Sequence, residues 1–301
     1  MLAERMNPVH WEWMIYVEMF LAGIAAGAYV TAAMLEVLGR GRSPVARTAH
    51  FMVWPLLVVV GILLTVDLGR PERFHHMLLL IKTLLPNLKW WSPMTFGSWG
   101  ILLFAIVAFG SFLDALVEKG VFRLGWWNRE RTLHGSKLGL VWALVGAGFA
   151  FGAGGYSGVL LSVSNLPGWG DSALIGPLFL VTAMVTGMAA LLLVQAVRRG
   201  TGHGDVLGLA EANALLVVVQ MVVLVLFIAT LGNGYQVFLA GTSLVGMLGA
   251  VVLGGFAPLL LRLSVPRPSP AMTALFAVLV LVGGFMLRFA VVMGPQWTVH
   301  G

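Results

Sequence analysis

Three polar residues stand out in a chain that carries little charge. Glu18 lies early in the first long apolar stretch, Asp67 closes the second, and Tyr156 lies near the end of the fourth. A carboxylate in hydrocarbon costs about 2.5–3.5 kcal/mol on insertion scales, so such residues call for a reason. If the stretches are membrane helices that alternate in direction, all three residues fall at one membrane face. Ser92 and Trp99, at the start of the third stretch, fall at the same depth. Two carboxylates, a phenol, a hydroxyl and an indole suit a quinone. Its head group needs hydrogen-bond donors to two carbonyls and a nearby group that exchanges protons. Simpler readings stand beside this one. Asp67 could tie down its loop by pairing with Arg70 or Arg73. Glu18 could be the partner of Arg288, and Tyr156 could be an interfacial aromatic.

These residues meet only if helices position them. The chain has 301 residues, 59% apolar and 10% charged, whereas soluble domains carry about 25% charged residues. It therefore reads as a polytopic membrane protein, since a spanning helix needs about 20 mostly apolar residues. Helices are expected at about 11–38, 46–67, 93–118, 136–162, 171–197, 209–230, 236–263 and 270–293, in one integral membrane domain over 1–301. Gly39 to Pro44, Pro167-Gly168, Gly232-Asn233-Gly234 and Pro266-Arg267-Pro268 punctuate them. Pairs of small residues, Gly23 with Gly27 and Gly148 with Gly152, should let helices pack closely, as should Gly154-Gly155. The glycines around Tyr156 could instead leave room for a flat ligand.

Lysine and arginine set the orientation. The loops after helices one, three, five and seven hold the larger share, among them Arg40, Arg42, Arg47, Lys119, Arg123, Arg129, Arg131 and Lys137. That side should be cytoplasmic, with both termini outside. The net charge of +6 is then a property of short loops, and nucleic-acid binding is not expected. The second loop, 68–92, is the longest on the outer side. It should hold an interfacial amphipathic helix at 77–82, anchored by Trp90 and Trp91. Its Arg70, Arg73, His75 and Lys89 suit it to docking an outer partner. A cleavable signal peptide is not expected, because the first apolar stretch is long and contains Glu18.

The chain has no cysteine, hence no disulfide, iron–sulfur cluster or thiolate metal site of its own. All seven histidines lie in loops or at helix ends, so neither a bis-histidine haem nor another metal centre is expected. Toward the cytoplasmic ends lie Glu36, His50, Asp114 and Glu211. These could begin a proton path that runs to Arg288 and Glu18. Solvated helix ends are the simpler reading.

Taken in order, several segments resemble the NrfD/PsrC family of polysulfide-reductase-type membrane subunits. They are Trp11-Glu12-Trp13 with Phe20 to Tyr29, Asp67-Leu68-Gly69-Arg70-Pro71-Glu72-Arg73-Phe74, and Ser92 to Trp99. Tyr156 to Leu161 follows, then Trp169 with Pro177-Leu178-Phe179, and Gly283-Gly284 through Arg288 to Gly294. The resemblance covers nearly the whole sequence. It implies an all-α protein of eight transmembrane helices in two four-helix bundles, with an exchangeable quinone (menaquinone or ubiquinone) near the outer face. It also implies an iron–sulfur partner of the four-cluster ferredoxin type and a molybdopterin catalytic subunit, at a bacterial or archaeal cytoplasmic membrane. Tyr156 matches the family's quinone-contacting tyrosine and Asp67 the acid that ends helix two. Glu18 stands where some members have histidine.

The expected function is therefore a quinone-reactive anchor of a respiratory oxidoreductase. The contrasting reading is a proton or small-solute transporter, which would place polar residues at the midplane; the midplane reads as bland. A purely structural anchor would not need Glu18.

Overall fold

A computed structural model describes residues 11–80, 86–87, 89, 91–121, 132–164, 166–198, 203–265 and 269–300, with backbone alone for 203–205 and 297–300. Eight long helices dominate: α1 Trp13–Val37, α2 Pro44–Asp67, α3 Pro93–Glu118, α4 Lys137–Ser162, α5 Ile175–Arg198, α6 His203–Thr230, α7 Gly241–Ser264 and α8 Pro270–His300. All eight are long and apolar enough to cross a membrane. The molecule is a multi-pass membrane protein, and no strand occurs among the described residues beyond an isolated bridge between Leu79 and Pro86.

The helix starts follow from local chemistry. Ser43 accepts from the Ala46 N–H at 3.2 Å, Ser92 from Thr95 at 3.5 Å and Ser136 from Gly139 at 3.0 Å. Ser269 accepts from Met272 at 3.3 Å. In three of these places proline follows the serine, at Pro44, Pro93 and Pro270. Serine satisfies an otherwise unpaired amide, and proline fits the first turn, where no N–H is needed. Ser43-Pro44 thus opens α2, two residues earlier than the punctuation implied.

Other ends also move for identifiable reasons. α5 starts at Ile175 rather than 171, because the acid and hydroxyl there build a turn instead. The Asp171 carboxylate accepts from Gly168 N–H at 2.7 Å and Ser172 Oγ from Leu174 N–H at 3.2 Å. Gly168 has φ +86°, which suits glycine. α7 starts at Gly241 because residues Gly232–Phe238 wind as a 3-10 helix. Its course is interrupted by a π turn at Val252–Phe256. α6 and α8 run longer than expected, from His203 and to His300. In the second loop the regular segment is a 3-10 helix at Pro71–Met77. The amphipathic helix expected at 77–82 is corrected to that extent: Leu79 lies in the bridge, and residues 81–85 and Trp90 lie outside the described residues.

α1 and α5 form the centre. Residues 22–33 of α1 and 182–192 of α5 are buried without interruption. α1 packs on α2, α4 and α5, α3 joins α2 to α4, and α5 also packs on α4, α6 and α8, with α7 on α8. Glycine permits the central crossing. A Cβ on Gly27 would fall on the Ala183 carbonyl, and one on Gly187 would fall on the Ala28 amide. Gly148 and Gly152 behave differently. They face outward with open space around them, so the expectation that this pair packs helices together is wrong. In α4 the close contacts fall to Gly139, Gly146 and Gly158.

This difference can be measured. Gly27→Ala should destabilise the purified protein by about 1–3 kcal/mol, the usual cost of overpacking, seen as a lower denaturation midpoint in detergent. Gly148→Ala should be neutral or stabilise by up to about 1 kcal/mol, because alanine is the better helix residue. Equal tolerance at both positions would contradict the α1–α5 crossing.

Candidate functional site

The site is built around two buried ionisable residues. Glu18 of α1 is 5% exposed and Arg288 of α8 is 1% exposed. The guanidinium of Arg288 lies against Gly23, one turn further along α1, where any Cβ would strike it. It donates to the Phe179 carbonyl at 3.5 Å and stands 5.4 Å from the Phe179 ring centroid. The arginine is thereby held by α1, α5 and α8 together. Among the described residues its Nε and Nη1 find no hydrogen-bond partner. Glu18 is the nearby opposite charge, within electrostatic reach of both Arg288 and Asp67. Such groups inside apolar helices are expensive and characteristically functional.

Tyr156 completes this end of the bundle. It sits near the end of α4, half-buried, and its electrostatic neighbour is Glu18. Gly97 of α3 makes its place, since a Cβ there would overlap the Tyr156 ring. The α3 start that delivers Gly97 is fixed by Ser92, which caps the helix, and by Trp99, whose indole donates to the Asn87 carbonyl at 3.1 Å. The polar atoms of Ser92 and Trp99 are therefore engaged in positioning the loop and the helix. Asp67 is partly exposed at the last residue of α2 and feels the charge of Glu12. Among the described residues no ion pair joins Asp67 to Arg70 or Arg73; Arg73 instead lies 4.0 Å from Glu72. Beyond the α2 end, Leu68, Gly69, Arg70, Arg73, His76 and Met77 line an open surface depression of about 560 Å³. Arg70, Arg73, His75 and Lys89 are all exposed.

Aromatic residues close the back of this end. The Trp169 indole donates to the Val291 carbonyl at 2.6 Å, and its ring lies 5.1 Å from Trp11. Trp11 N–H donates to Gln296 at 2.7 Å. The entry to α1 is thus fastened to α8, which holds Glu18 opposite Arg288.

The residues expected toward the other face separate into three groups. Glu36 and His50 meet in a buried cluster together with His134. Asp114 supports that cluster by accepting from Leu133 and His134 N–H at 2.6 and 2.9 Å. Glu211 does not join it; the carboxylate is 62% exposed and pairs with Arg262 at 3.1 Å. Nor does Arg288, which belongs to the Glu18 end. His134 was missed by reading it as a loop residue. Its position two residues before the Ser136 cap, at the end of the bundle that also holds Glu36, was the available signal. The midplane is also less bland than expected. Tyr29 and Ser111 share a hydrogen bond of 3.2 Å, and Trp142 donates to Ser111 at 3.1 Å. Among the described residues no group of His, Asp or Glu is arranged to hold a metal ion.

Comparison with known proteins adds a lineage to this geometry. The family model described as polysulphide reductase, NrfD, matches residues 2–300. The sequence is 28% identical to the C subunit of polysulfide reductase from Wolinella succinogenes over 318 residues, which covers 97% of this protein and 96% of that one. It is 27% identical to protein NrfD of Escherichia coli (strain K12) over 324 residues, covering 96% of each.

The charge pair makes its own prediction. Arg288→Gln should destabilise the protein, since it removes the group that α1, α5 and α8 enclose and the positive charge within reach of Glu18. Adding Glu18→Gln should recover part of the loss. A double-mutant cycle on denaturation midpoints should give a favourable coupling of about 0.5–3 kcal/mol. Strict additivity would mean that the two groups do not interact.

Proposed function

The chain belongs to the NrfD polysulphide reductase family, and on that premise we propose that it is the quinone-reactive membrane subunit of a respiratory oxidoreductase complex. The observation that carries this reading is the convergence of Glu18, Asp67 and Tyr156, from three different helices, at one end of the bundle. That the relatives include a polysulfide reductase subunit supports a redox role.

The residues present suit a quinone head group. Tyr156 offers a phenolic donor from a half-buried position, and Glu18 and Asp67 offer carboxyls that can take or give protons. Arg288 supplies a fixed positive charge with two donors unused. A quinone supplies two-electron, two-proton chemistry when bound. This protein's part is to orient it, to keep water out, and to hold protons at the Glu18 and Asp67 carboxyls and the Tyr156 hydroxyl. Glu18, buried and within electrostatic reach of Arg288, is the inner proton-exchange group. Asp67, partly exposed at the end of α2, is the outer one. Ser92 and Trp99 flank the site and fix its α3 wall. Menaquinone and ubiquinone both meet these requirements.

The electron partner is an iron–sulfur subunit of the four-cluster ferredoxin type, linked to a molybdopterin catalytic subunit. It docks over the second loop, where Arg70, Arg73, His75 and Lys89 are exposed beside the quinone end. The loop charges favour an outer position for this end, at a bacterial or archaeal cytoplasmic membrane. Helix contacts support two bundles, α1–α4 and α5–α8, joined through α1 and α5. The transporter reading loses support, because no strongly broken helix crosses at α1 or α5 and the charged groups gather at the two ends.

Two measurements test this. Tyr156→Phe and Glu18→Gln should each lower quinol turnover by about tenfold or more, the equivalent of losing one strong hydrogen bond at a reacting group. Complex assembly should be preserved. Wild-type turnover in both variants would move the site elsewhere. Cross-linkers on Arg73→Cys or Lys89→Cys should capture the iron–sulfur subunit. Capture from the 122–131 loop instead would reverse the orientation.

A further inference from the structure

A second buried polar cluster lies at the opposite end of the first four helices, and the quinone chemistry leaves it unused. Glu36, His50 and His134 are 8%, 3% and 3% exposed. They come from the end of α1, the second turn of α2 and the segment before α4. The two imidazole rings stack with centroids 4.0 Å apart and planes 15° from parallel. Glu36 Oε1 accepts from Gly135 N–H at 2.6 Å, and Oε2 lies 3.5 Å from His134 Nδ1. Among the described residues, both nitrogens of His50 and Nε2 of His134 have no hydrogen-bond partner.

This arrangement is built, not incidental. The His134 backbone is gripped from two sides. Asp114 accepts from its N–H, and Arg42 Nε donates to its carbonyl at 2.9 Å while Nη2 reaches Thr132 at 2.7 Å. Gly135, at φ +81°, leaves space for the Arg42 side chain. Each unsatisfied buried polar group costs about 1–3 kcal/mol, so three unpartnered nitrogens beside one carboxylate call for an occupant. Stacked rings direct their lone pairs along parallel planes and do not converge on one ion. A proton suits this geometry better than a metal.

We propose that His50, His134 and Glu36 form a one-proton holding site at the end of the bundle opposite the quinone site. Two stacked imidazolium rings repel, so the pair carries one positive charge at a time. Glu36 is its counter-charge. Among the described residues, the other charged groups that face the pair are Asp114 from α3 and Arg42 from the α1–α2 turn. Arg198 of α5 bonds Thr48 instead, Arg47 pairs with Glu118, and Lys137 of α4 is exposed. The proton comes from the adjacent aqueous phase, since Gly135 and Ser136 are exposed. It resides on an imidazole nitrogen and leaves as a proton.

Its onward direction is set by α1. The Tyr29 ring meets His50 edge-on at 6.0 Å, and its hydroxyl bonds Ser111. At about 3.6 residues per turn, Glu18, Tyr29 and Glu36 share one stripe of α1. Tyr29 and Glu18 are then separated by about 16 Å along the axis. The holding site stands on its own geometry; the quinone reading enters only in what the proton is for.

The test uses the full-length protein, labelled with ¹⁵N-histidine, in lipid bilayers. Solid-state NMR between about pH 5 and pH 8 should show His50 and His134 taking up one imidazolium charge between them. Glu36→Gln should lower the charged fraction at a fixed pH by about tenfold, the effect of losing one close counter-charge. In vesicles holding the complete complex, His134→Phe should reduce proton uptake per quinol at the Glu36 side while turnover in uncoupled vesicles stays within about twofold of wild type. Two histidines that stay neutral throughout, or that each take a full charge independently, would overturn the proposal even if the quinone assays succeed. A shared proton beside wild-type turnover in the Tyr156 and Glu18 variants would refute the quinone reading and leave this site standing.

Discussion

The burial of Arg288 is the constraint around which the molecule is arranged. A guanidinium in an apolar interior is costly, and every nearby carbonyl, ring or acid lowers that cost. Three helices must therefore come together at one point. α1 contributes Glu18 and the bare surface of Gly23, α5 contributes the Phe179 carbonyl and ring, and α8 carries the arginine itself. The same meeting brings α1 and α5 close enough that Gly27 and Gly187 are required. What could be seen as a costly charge is thus also the register mark for the central helices.

Much of the fold was legible because its signals are local. Apolar length marks a spanning helix, and the Ser-Pro dipeptides and glycine turns mark its ends. Errors arose where local signals compete. Asp171 and Ser172 look like a helix start but cap a turn, and Gly148 and Gly152 look like a packing pair but face away from every neighbour. A spacing of four residues says that two glycines share a face. It does not say which face.

The candidate site was legible in a different way. Glu18, Asp67 and Tyr156 are conspicuous because they interrupt apolar runs, and alternation of helix direction brings them to one end. The supporting residues were not conspicuous. Gly97 makes room for the Tyr156 ring through an absence, which composition cannot reveal. His134 lies in a polar segment, where a histidine attracts no notice, and its burial comes from Asp114, Arg42 and Glu36 on other elements. Contacts between residues about 20 to 100 positions apart are the part that one sequence hides.

The π turn in α7 has a consequence for how this protein tolerates change in length. A π turn holds one residue more than an α turn. Here it seats Gly254 on Gly283 while Gly255 faces Met221. Deleting a single residue from 252–256 would let the helix close into a regular α form. Residues beyond would keep roughly their present faces, so Arg262 would stay beside Glu211, whereas the same deletion from a regular α turn would rotate them by about 100°. The π segment is therefore the part of α7 that best absorbs a change of one residue.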